Sequence, residues 1–480
     1  MMLDLEIIPE RSLGSDTWEF VLGMHFSQAV AIIKSQVGTI KGVQVIYSDQ
    51  NPLTVDLEIN MPQDGIRLIF DPVAQRLKII VIYNMKLVKL RYSGVYFNSL
   101  DVAPSIEQVE NCFGATHPAL YDSQRHLFAL NFRGLSFYFH VDTKYEPGYA
   151  HGLGSLQFPD GSSPVVTRTT IYYGSQHPPI NPVDGYMSGT APLPELPLSC
   201  YRQQLYLRRC DVLRAAAATR ALRLHMYTEG TSRTLEARQA SVSRVVSFGA
   251  SCQAISHALG APARVYYKSD DKMRIHRSNA RRRPHNDAPS DFYFNYFTLG
   301  LDVLFDANTH RAKKFVLHTN YPGHYNFNVY HRCEFEIKLD SDTHEANSLV
   351  DGRGQFTITP YSEWGSVARA LRVSERPVVL NRATTTNSTN PFGSTFCYVY
   401  QDLIFEVSVR AVGAVCPPPP RRAQPRHHHQ LHQPVRLHLL LRVPGPHIRG
   451  DAQQPHSVGD AVPGGGTAVG VRGLLERVTY

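Results

Sequence analysis

Apolar residues alternate with other residues in several short stretches of the chain, and the alternation recurs in a matching form. Residues 65–71 and 300–306 both run from glycine through alternating apolar positions to phenylalanine and aspartate, and an arginine follows five positions later. A third copy covers 134–139, and a weaker fourth covers 402–407. Successive side chains of a strand point to opposite faces, so this period predicts strands with one buried face. The segment from aspartate to arginine predicts a hairpin connection.

Short helices are predicted ahead of these strands, where apolar residues recur at intervals of three and four. The predicted helical segments are 26–33, 106–113, 252–259 and 367–371. Gly114 and Gly260 follow two of them, at the position where a helix commonly ends in a left-handed residue. The sequence therefore predicts an α+β fold class, made of tandem repeats of a short helix followed by an antiparallel β-meander.

The composition divides the chain into four segments. Residues 1–147 hold the first pair of repeats and 247–415 the second pair, while 148–246 is an irregular or linker segment with a candidate strand at 163–173. Residues 416–480 are rich in proline, glycine, histidine and arginine and contain no lysine. Such a composition has little apolar surface to bury, so we expect a disordered tail.

The charge and cysteine content exclude several classes of protein. The formal net charge is +8, but eight arginines and three acidic residues after Val415 account for +5 of it, which leaves +3 for the rest. A nucleic-acid-binding protein would carry its charge on the fold, so no nucleic-acid partner is expected. The seven cysteines form no C-x-x-C pair, and neither a secretory signal nor a spanning apolar stretch is predicted. We expect a cytoplasmic protein.

Four potential metal ligands lie within sixteen residues: His318, His324, His331 and Cys333. Zinc accepts nitrogen and sulfur ligands, and a hydrolase using His324, His331 and Cys333 is one alternative. The favoured interpretation is a strand–turn–strand whose polar side chains bond to the backbone. The common nucleophile, phosphate-binding and metalloprotease motifs do not occur. We therefore expect no enzyme activity, no cofactor and no small-molecule substrate.

Several stretches resemble the phagosome assembly factor family. The most specific are the runs from Lys313 to Phe335 and from Asn390 to Cys397. The stretches 3–14, 113–118 and 131–137 are also similar to that family. The resemblance identifies the chain as a member of a family of autophagy regulators for which no active site is known.

This resemblance implies a non-enzymatic adaptor that regulates autophagy. It implies association with a WD-repeat partner, a microtubule-associated cell-migration factor, at the phagophore assembly site, where autophagosomes form. The alternative is a factor for Golgi-to-plasma-membrane transport at the trans-Golgi network. Co-localisation with early phagophore markers on starvation would distinguish the first role from the second.

A basic loop is the first candidate contact site. Its members are Lys268, Lys272, Arg274, Arg277, Arg281, Arg282 and Arg283. Basic residues near an anionic membrane each contribute about 1 kcal/mol of attraction, so phosphoinositide membranes are a candidate partner. The alternative is a solvated loop that only keeps the protein soluble.

A short motif is the second candidate contact site. Trp364 and Val367, preceded by Glu363, fit the aromatic-x-x-aliphatic pattern that autophagy-modifier proteins bind by strand addition. Trp364 also lies at the start of a predicted helix, where an apolar residue would pack on the sheet. Burial of Trp364 in the core is the favoured alternative.

Overall fold

The computed structural model describes most of the chain. The described residues are 2–114, 120–122, 126–140, 164–174, 192–201, 204–215, 218–231, 237–267, 290–324, 326–340, 355–373, 376–381, 394–408 and 436–442. They form two compact units: Met1–Gln203 with Ser232–Arg238, and Gln204–Thr231 with Gln239–Tyr480. The described part is mostly β-sheet with four short α-helices, so sheets contribute more than the predicted α+β class implies.

The described residues of the first unit form thirteen strands and two α-helices. In chain order its elements are β1 (Leu3–Ile8), β2 (Ser12–Gly14), β3 (Glu19–Val21), α1 (Phe26–Ser35), β4 (Gln44–Ile46), β5 (Leu57–Met61), β6 (Ile66–Phe70), β7 (Leu77–Ile82), β8 (Val88–Tyr92), β9 (Val95–Asn98), α2 (Ile106–Phe113), β10 (Leu120–Asp122), β11 (Leu127–Phe132), β12 (Leu135–His140) and β13 (Val166–Tyr172). A five-stranded sheet has the order β3-β2-β1-β8-β9, and an eight-stranded sheet has the order β10-β11-β12-β13-β7-β6-β5-β4.

The second unit repeats this order of elements. Its elements are β14 (Tyr206–Ala215), β15 (Ala218–Thr231), β16 (Ala237–Ser247), α3 (Cys252–Leu259), β17 (Arg264–Tyr267), β18 (Phe292–Tyr296), β19 (Leu301–Phe305), β20 (Ala312–His318), β21 (Phe335–Asp340), β22 (Gln355–Ile358), α4 (Trp364–Ala370), β23 (Val378–Asn381), β24 (Ser394–Tyr400), β25 (Leu403–Ser408) and β26 (Arg436–Arg442). The sheets are β16-β15-β14-β21-β22 and β17-β18-β19-β20-β26-β25-β24-β23.

The five-stranded sheets each contain one parallel pair that joins distant parts of the chain. Strand β1 pairs in parallel with β8, and β14 pairs in parallel with β21. Every other strand pair whose register the structure defines is antiparallel, and most of these pairs join strands that are neighbours in the sequence. Each parallel pair therefore places the first strand of its unit beside a strand from the middle of that unit's sequence.

The helices lie where the periodicity predicts them. Helices α2 and α3 begin after Ser105 and Ser251, whose hydroxyls accept hydrogen bonds from backbone N–H groups of the first turn. Such caps satisfy donors that have no partner within the helix. Both helices end at a glycine of positive φ, Gly114 at 81° and Gly260 at 79°, which a side chain would strain.

The predicted hairpin connections have the same geometry in both units. The carboxylate of Asp71 accepts hydrogen bonds from the backbone N–H groups two and three residues later, and Asp306 does the same. Gln75 and His310 have positive φ angles of 55° and 52°. Each aspartate then bonds through its backbone to the arginine that closes the turn. The prediction of hairpins at these positions is confirmed.

A shared core joins the helices and both sheets of the second unit. Apolar side chains of the five-stranded sheet, such as Leu224 and Ile337, belong to the same cluster as Phe305 and Phe315 of the eight-stranded sheet. Ile255 of α3 packs into it. The five-stranded sheet and the helices thus cover one face of the eight-stranded sheet.

Three phenylalanines occupy matching positions in the eight-stranded sheets. Phe70, Phe139 and Phe305 are fully buried. In each case the strand register shifts at the residue just before the phenylalanine. The prediction that these three side chains fill equivalent buried positions agrees with this geometry.

The segment 148–246 is only partly described, and its second half is not irregular. Strand β13 lies inside the candidate strand 163–173, whereas β14, β15 and β16 fill most of 206–247. This corrects the expectation of a linker there. The apolar side chains of β15 alternate with arginine and histidine, and arginine-rich strands of this kind carry a weak β signal.

The tail also contains an element that the sequence did not predict. Strand β26, residues Arg436–Arg442, lies between β20 and β25 and pairs antiparallel with both. The expectation of a disordered tail is therefore wrong at 436–442, because backbone pairing with two neighbours can hold a strand in a sheet whatever the flanking composition. The rest of 416–480 lies outside the described residues.

We predict that Phe70→Ala and Phe305→Ala destabilise the protein to a similar extent. Each removes a fully buried ring, so the free energy of unfolding should fall by about 3–5 kcal/mol. Urea unfolding followed by circular dichroism measures the change. A loss below about 1 kcal/mol for either variant would show that its ring is not part of a packed core.

We also predict that a chain ending at Val415 melts below the full-length chain. Removal of β26 leaves the facing edges of β20 and β25 without their backbone partners, so the melting temperature should drop by at least about 5 °C. Differential scanning calorimetry of the two chains makes the comparison. Equal melting temperatures would mean that the sheet is stable without β26.

Candidate interaction sites

The histidine-rich stretch folds around a buried carboxylate. Asp302 of β19 accepts hydrogen bonds from the side chains of Asn295, His318 and Tyr330, each at 2.8 Å. The His318 ring also stacks on Tyr330, with ring centroids 3.8 Å apart. All four residues are buried. This network fixes the segment after β20 across the sheet and uses the Nε2 atom of His318, so His318 has a structural role.

His331 and Cys333, two other members of the proposed metal or hydrolase cluster, also have surroundings that oppose a catalytic role. The His331 ring lies 5.5 Å from that of Tyr206, and burial lowers the pKa of His331 to about 3. Cys333 is fully buried, and burial and the neighbouring Cys210 raise the pKa of its thiol. A nucleophilic cysteine needs thiolate character and access to substrate, which this environment opposes.

His324 bonds locally in the turn, where its Nδ1 atom accepts from the backbone N–H of Asn326 at 3.3 Å. Within the ranges that the structure describes, no three His, Cys, Asp or Glu side chains are grouped to hold a metal ion. Strand β20 ends at His318 and the next strand, β21, begins only at Phe335 in the other sheet, so the stretch is a long connection between two sheets rather than the expected strand–turn–strand.

The structure places Trp364 and Val367 in the core. Trp364 is the first residue of α4 and is 9% exposed, and Val367 is fully buried. The indole lies 4.5 Å from the ring of Tyr398 and 5.3 Å from that of Phe405. A partner that recognises this motif by strand addition would need an extended backbone, so α4 would have to unwind. The core interpretation fits this geometry.

The seven basic residues of the candidate membrane-contact loop, 268–283, lie outside the described residues. The strands on either side are described: β17 ends at Tyr267, which is 62% exposed, and pairs with β18. Strand β17 is an edge strand of the eight-stranded sheet. The loop therefore connects an edge strand with its neighbour.

A groove of about 710 Å³ in the first unit was not predicted from the sequence. One wall is a face of the five-stranded sheet, where the strand register aligns Glu6 with Gly14 and Gly14 with Glu19. The other wall is a face of α1 that includes Gln28 and Ile32. Its volume falls within the range of ligand sites.

The groove contains more acidic than basic charge on its lining. Glu6, Asp16 and Glu19 contribute carboxylates, and Arg11 is the basic residue among the lining side chains. Arg11 lies 3.4 Å from Glu19, while Arg91 contacts both Glu6 and Asp16. Gln28 donates a hydrogen bond to the carbonyl of Cys200, and both residues line the groove. These ion pairs and the Trp18 side chain give the groove a mixed polar and apolar surface.

Sequence reasoning missed this groove because its residues come from separate segments. The sheet wall depends on antiparallel pairing of β1, β2 and β3, and the hydrogen-bond partner of Gln28, Cys200, lies far along the chain. The only signal in the sequence is in β1, where polar residues alternate with leucines that are buried in the structure. That pattern predicts a solvated face rather than a groove.

Together these features describe a β-rich protein with two similarly built units. The candidate contact sites on its surface are lined by charged side chains. Among the described residues, no helix is long and apolar enough to cross a membrane. No solved structure matches the chain significantly. The family model described as Phagosome assembly factor 1 matches residues 16–413. The chain belongs to this family.

Relatives from distant organisms match over most of their length. A PHAF1 protein of Drosophila melanogaster is 57% identical over 449 residues, which are 91% of this chain and 99% of the fly protein. PHAF1 proteins of Caenorhabditis elegans and Arabidopsis thaliana are 33% and 35% identical, over 84% and 81% of this chain and 90% and 87% of their own length. The resemblance noted in the sequence is thereby confirmed.

Proposed function

We propose that this chain is a non-enzymatic adaptor in autophagosome formation. The observation that carries this proposal is the match of the Phagosome assembly factor 1 model to residues 16–413. The buried state of Cys333 and the structural use of His318 support an adaptor over the hydrolase alternative. The chain works from the cytoplasm and is recruited to the phagophore assembly site, where it binds a WD-repeat, microtubule-associated cell-migration factor.

The proposal also includes a repeated architecture. We propose that the helix and the four strands after it form one module, present twice in each unit. The shared turn of Asp71 and Asp306 supports this, as do the matching register shifts before Phe70, Phe139 and Phe305. Similar destabilisation by Phe70→Ala and Phe305→Ala is the corresponding measurement.

Affinity purification of the tagged full-length chain from fed and starved cells tests the adaptor role. We expect the WD-repeat protein to be recovered with the chain, and the chain to co-localise with early phagophore markers on starvation. The tag alone is the control for purification. Steady residence at the trans-Golgi network with no redistribution on starvation would contradict the proposal and favour the transport alternative.

Membrane contact through the basic loop is a separate part of the proposal. Arg281→Ala, Arg282→Ala and Arg283→Ala together should remove about 3 kcal/mol of attraction to an anionic surface. Binding should then weaken by about two orders of magnitude. Co-sedimentation with vesicles that contain phosphatidylinositol 3-phosphate measures this, and raised salt should weaken wild-type binding by screening.

The matched control is Arg369→Ala, because Arg369 is exposed on α4 and its side-chain hydrogen bonds within the described part of the chain go to Gly365 and Ser366 of the same helix. This variant should sediment like the wild type, and the triple variant should melt like it. Equal sedimentation of the triple variant and the wild type would show that membrane recruitment uses another surface or a partner.

A further inference from the structure

Strand β16 forms an edge of the five-stranded sheet in the second unit. Its one strand neighbour among the described residues is β15. Val246 is anchored in the core, but Ser243, Arg244 and Val245 before it are all exposed. Successive residues of a strand point to opposite faces, so this part of β16 is open on both faces. An edge strand also presents N–H and C=O groups along one side without strand partners.

This edge belongs to an arginine-rich sheet. Strands β14, β15 and β16 contain seven arginines and no lysine within their described residues, against the acidic residues Asp211 and Glu229. Two of the arginines are already paired: Arg209 with Asp211 at 2.8 Å, and Arg214 with Asp402 at 2.7 Å. The sheet therefore has an excess of positive charge.

Beside the C-terminal half of β16, three exposed arginines have no carboxylate within ion-pair distance among the described residues. They are Arg220, Arg223 and Arg244. Arg208 reaches toward the same edge: its guanidinium lies over the ring of Tyr227 on β15 and donates a hydrogen bond to Gln239 of β16. Arg208, Arg220, Arg223 and Arg244 define what we term the arginine edge.

The charge decides which strand can pair with this edge. A second copy of β16 would bring arginine toward arginine, and like charges on an edge oppose self-association. An extended segment with acidic side chains would instead complete the backbone pairing and neutralise the excess charge. Arginine suits this role because its planar guanidinium can donate two parallel hydrogen bonds to one carboxylate.

We propose that the arginine edge binds an acidic, extended segment of a partner protein, which adds to β16 as a sixth strand of the sheet. Backbone hydrogen bonds supply the general affinity, and the arginines select the acidic side chains. The arginine edge would be one surface through which the proposed adaptor binds a partner. Only its use in the cell rests on the proposed adaptor role.

The test uses the purified full-length chain and a labelled nine-residue peptide that alternates glutamate with valine. Fluorescence anisotropy should show saturable binding that 0.5 M salt weakens. The same peptide with lysine for glutamate should bind at least about tenfold more weakly. A glutamate–valine peptide with N-methyl groups at alternate residues, on the side that faces β16, should also lose at least about tenfold, because the methyl groups block strand pairing.

The variant Arg223→Glu/Arg244→Glu should weaken binding of the acidic peptide about tenfold or more, while its melting temperature stays close to that of the wild type. Arg369→Glu, a reversal of an exposed arginine on α4, is the matched control and should leave binding unchanged. Should the double reversal fail to fold, Arg223→Gln/Arg244→Gln replaces it, and the N-methyl comparison on the wild-type chain needs no variant.

The proposal is wrong if the acidic and basic peptides bind equally, or if the N-methyl peptide binds as well as its parent. It is also wrong if vesicles of phosphatidylcholine with phosphatidylserine bind through Arg223 and Arg244 while the peptide does not, because the surface would then be a membrane site. These measurements do not depend on autophagy. A negative peptide result leaves the adaptor role untouched, and a negative result in starved cells leaves the peptide site untouched.

Discussion

Each eight-stranded sheet depends on pairing between the last strands of two meanders. In the first unit β7 pairs with β13, and in the second β20 pairs with β26. Strand β7 is buried along its whole length, so a meander that ended there would expose an apolar edge to water. Pairing two such edges satisfies their backbone groups. The short helices and the five-stranded sheet can then cover one continuous face, as the shared core of the second unit shows.

Local patterns were sufficient to predict the elements that depend on local sequence. Period-two alternation located β6 and β19, and glycine-ended periodicity located α2 and α3. The sequence could not predict the parallel pairing of β14 with β21, because nothing in either strand encodes a partner so far away. The candidate sites also divide into those that local sequence predicts and those that need the assembled fold. Burial of Trp364 was the favoured interpretation from its place at a helix start, whereas the groove required three strands and a helix to be assembled first.

The two five-stranded sheets have the same strand order but differ in the charge of their exposed side chains. Glu6, Asp16 and Glu19 line the groove beside the first sheet, while the second sheet carries the arginine edge. In both sheets the alternating residues that face the core are buried because they pack there. The residues between them point outward and can differ, because they do not pack against the core. One scaffold can thus present different surfaces, which suits the proposed role of joining partners.

The position of β26 has a consequence for how the chain is made on the ribosome. All strands of the first unit's eight-stranded sheet have been synthesised by residue 172, because β13 is the last of them. The second sheet lacks a strand in its middle until residue 442 has been added. During that interval β20 and β25 present open edges, and open edges are where nascent chains associate wrongly. The second unit therefore leaves a strand edge open for longer during synthesis than the first unit does.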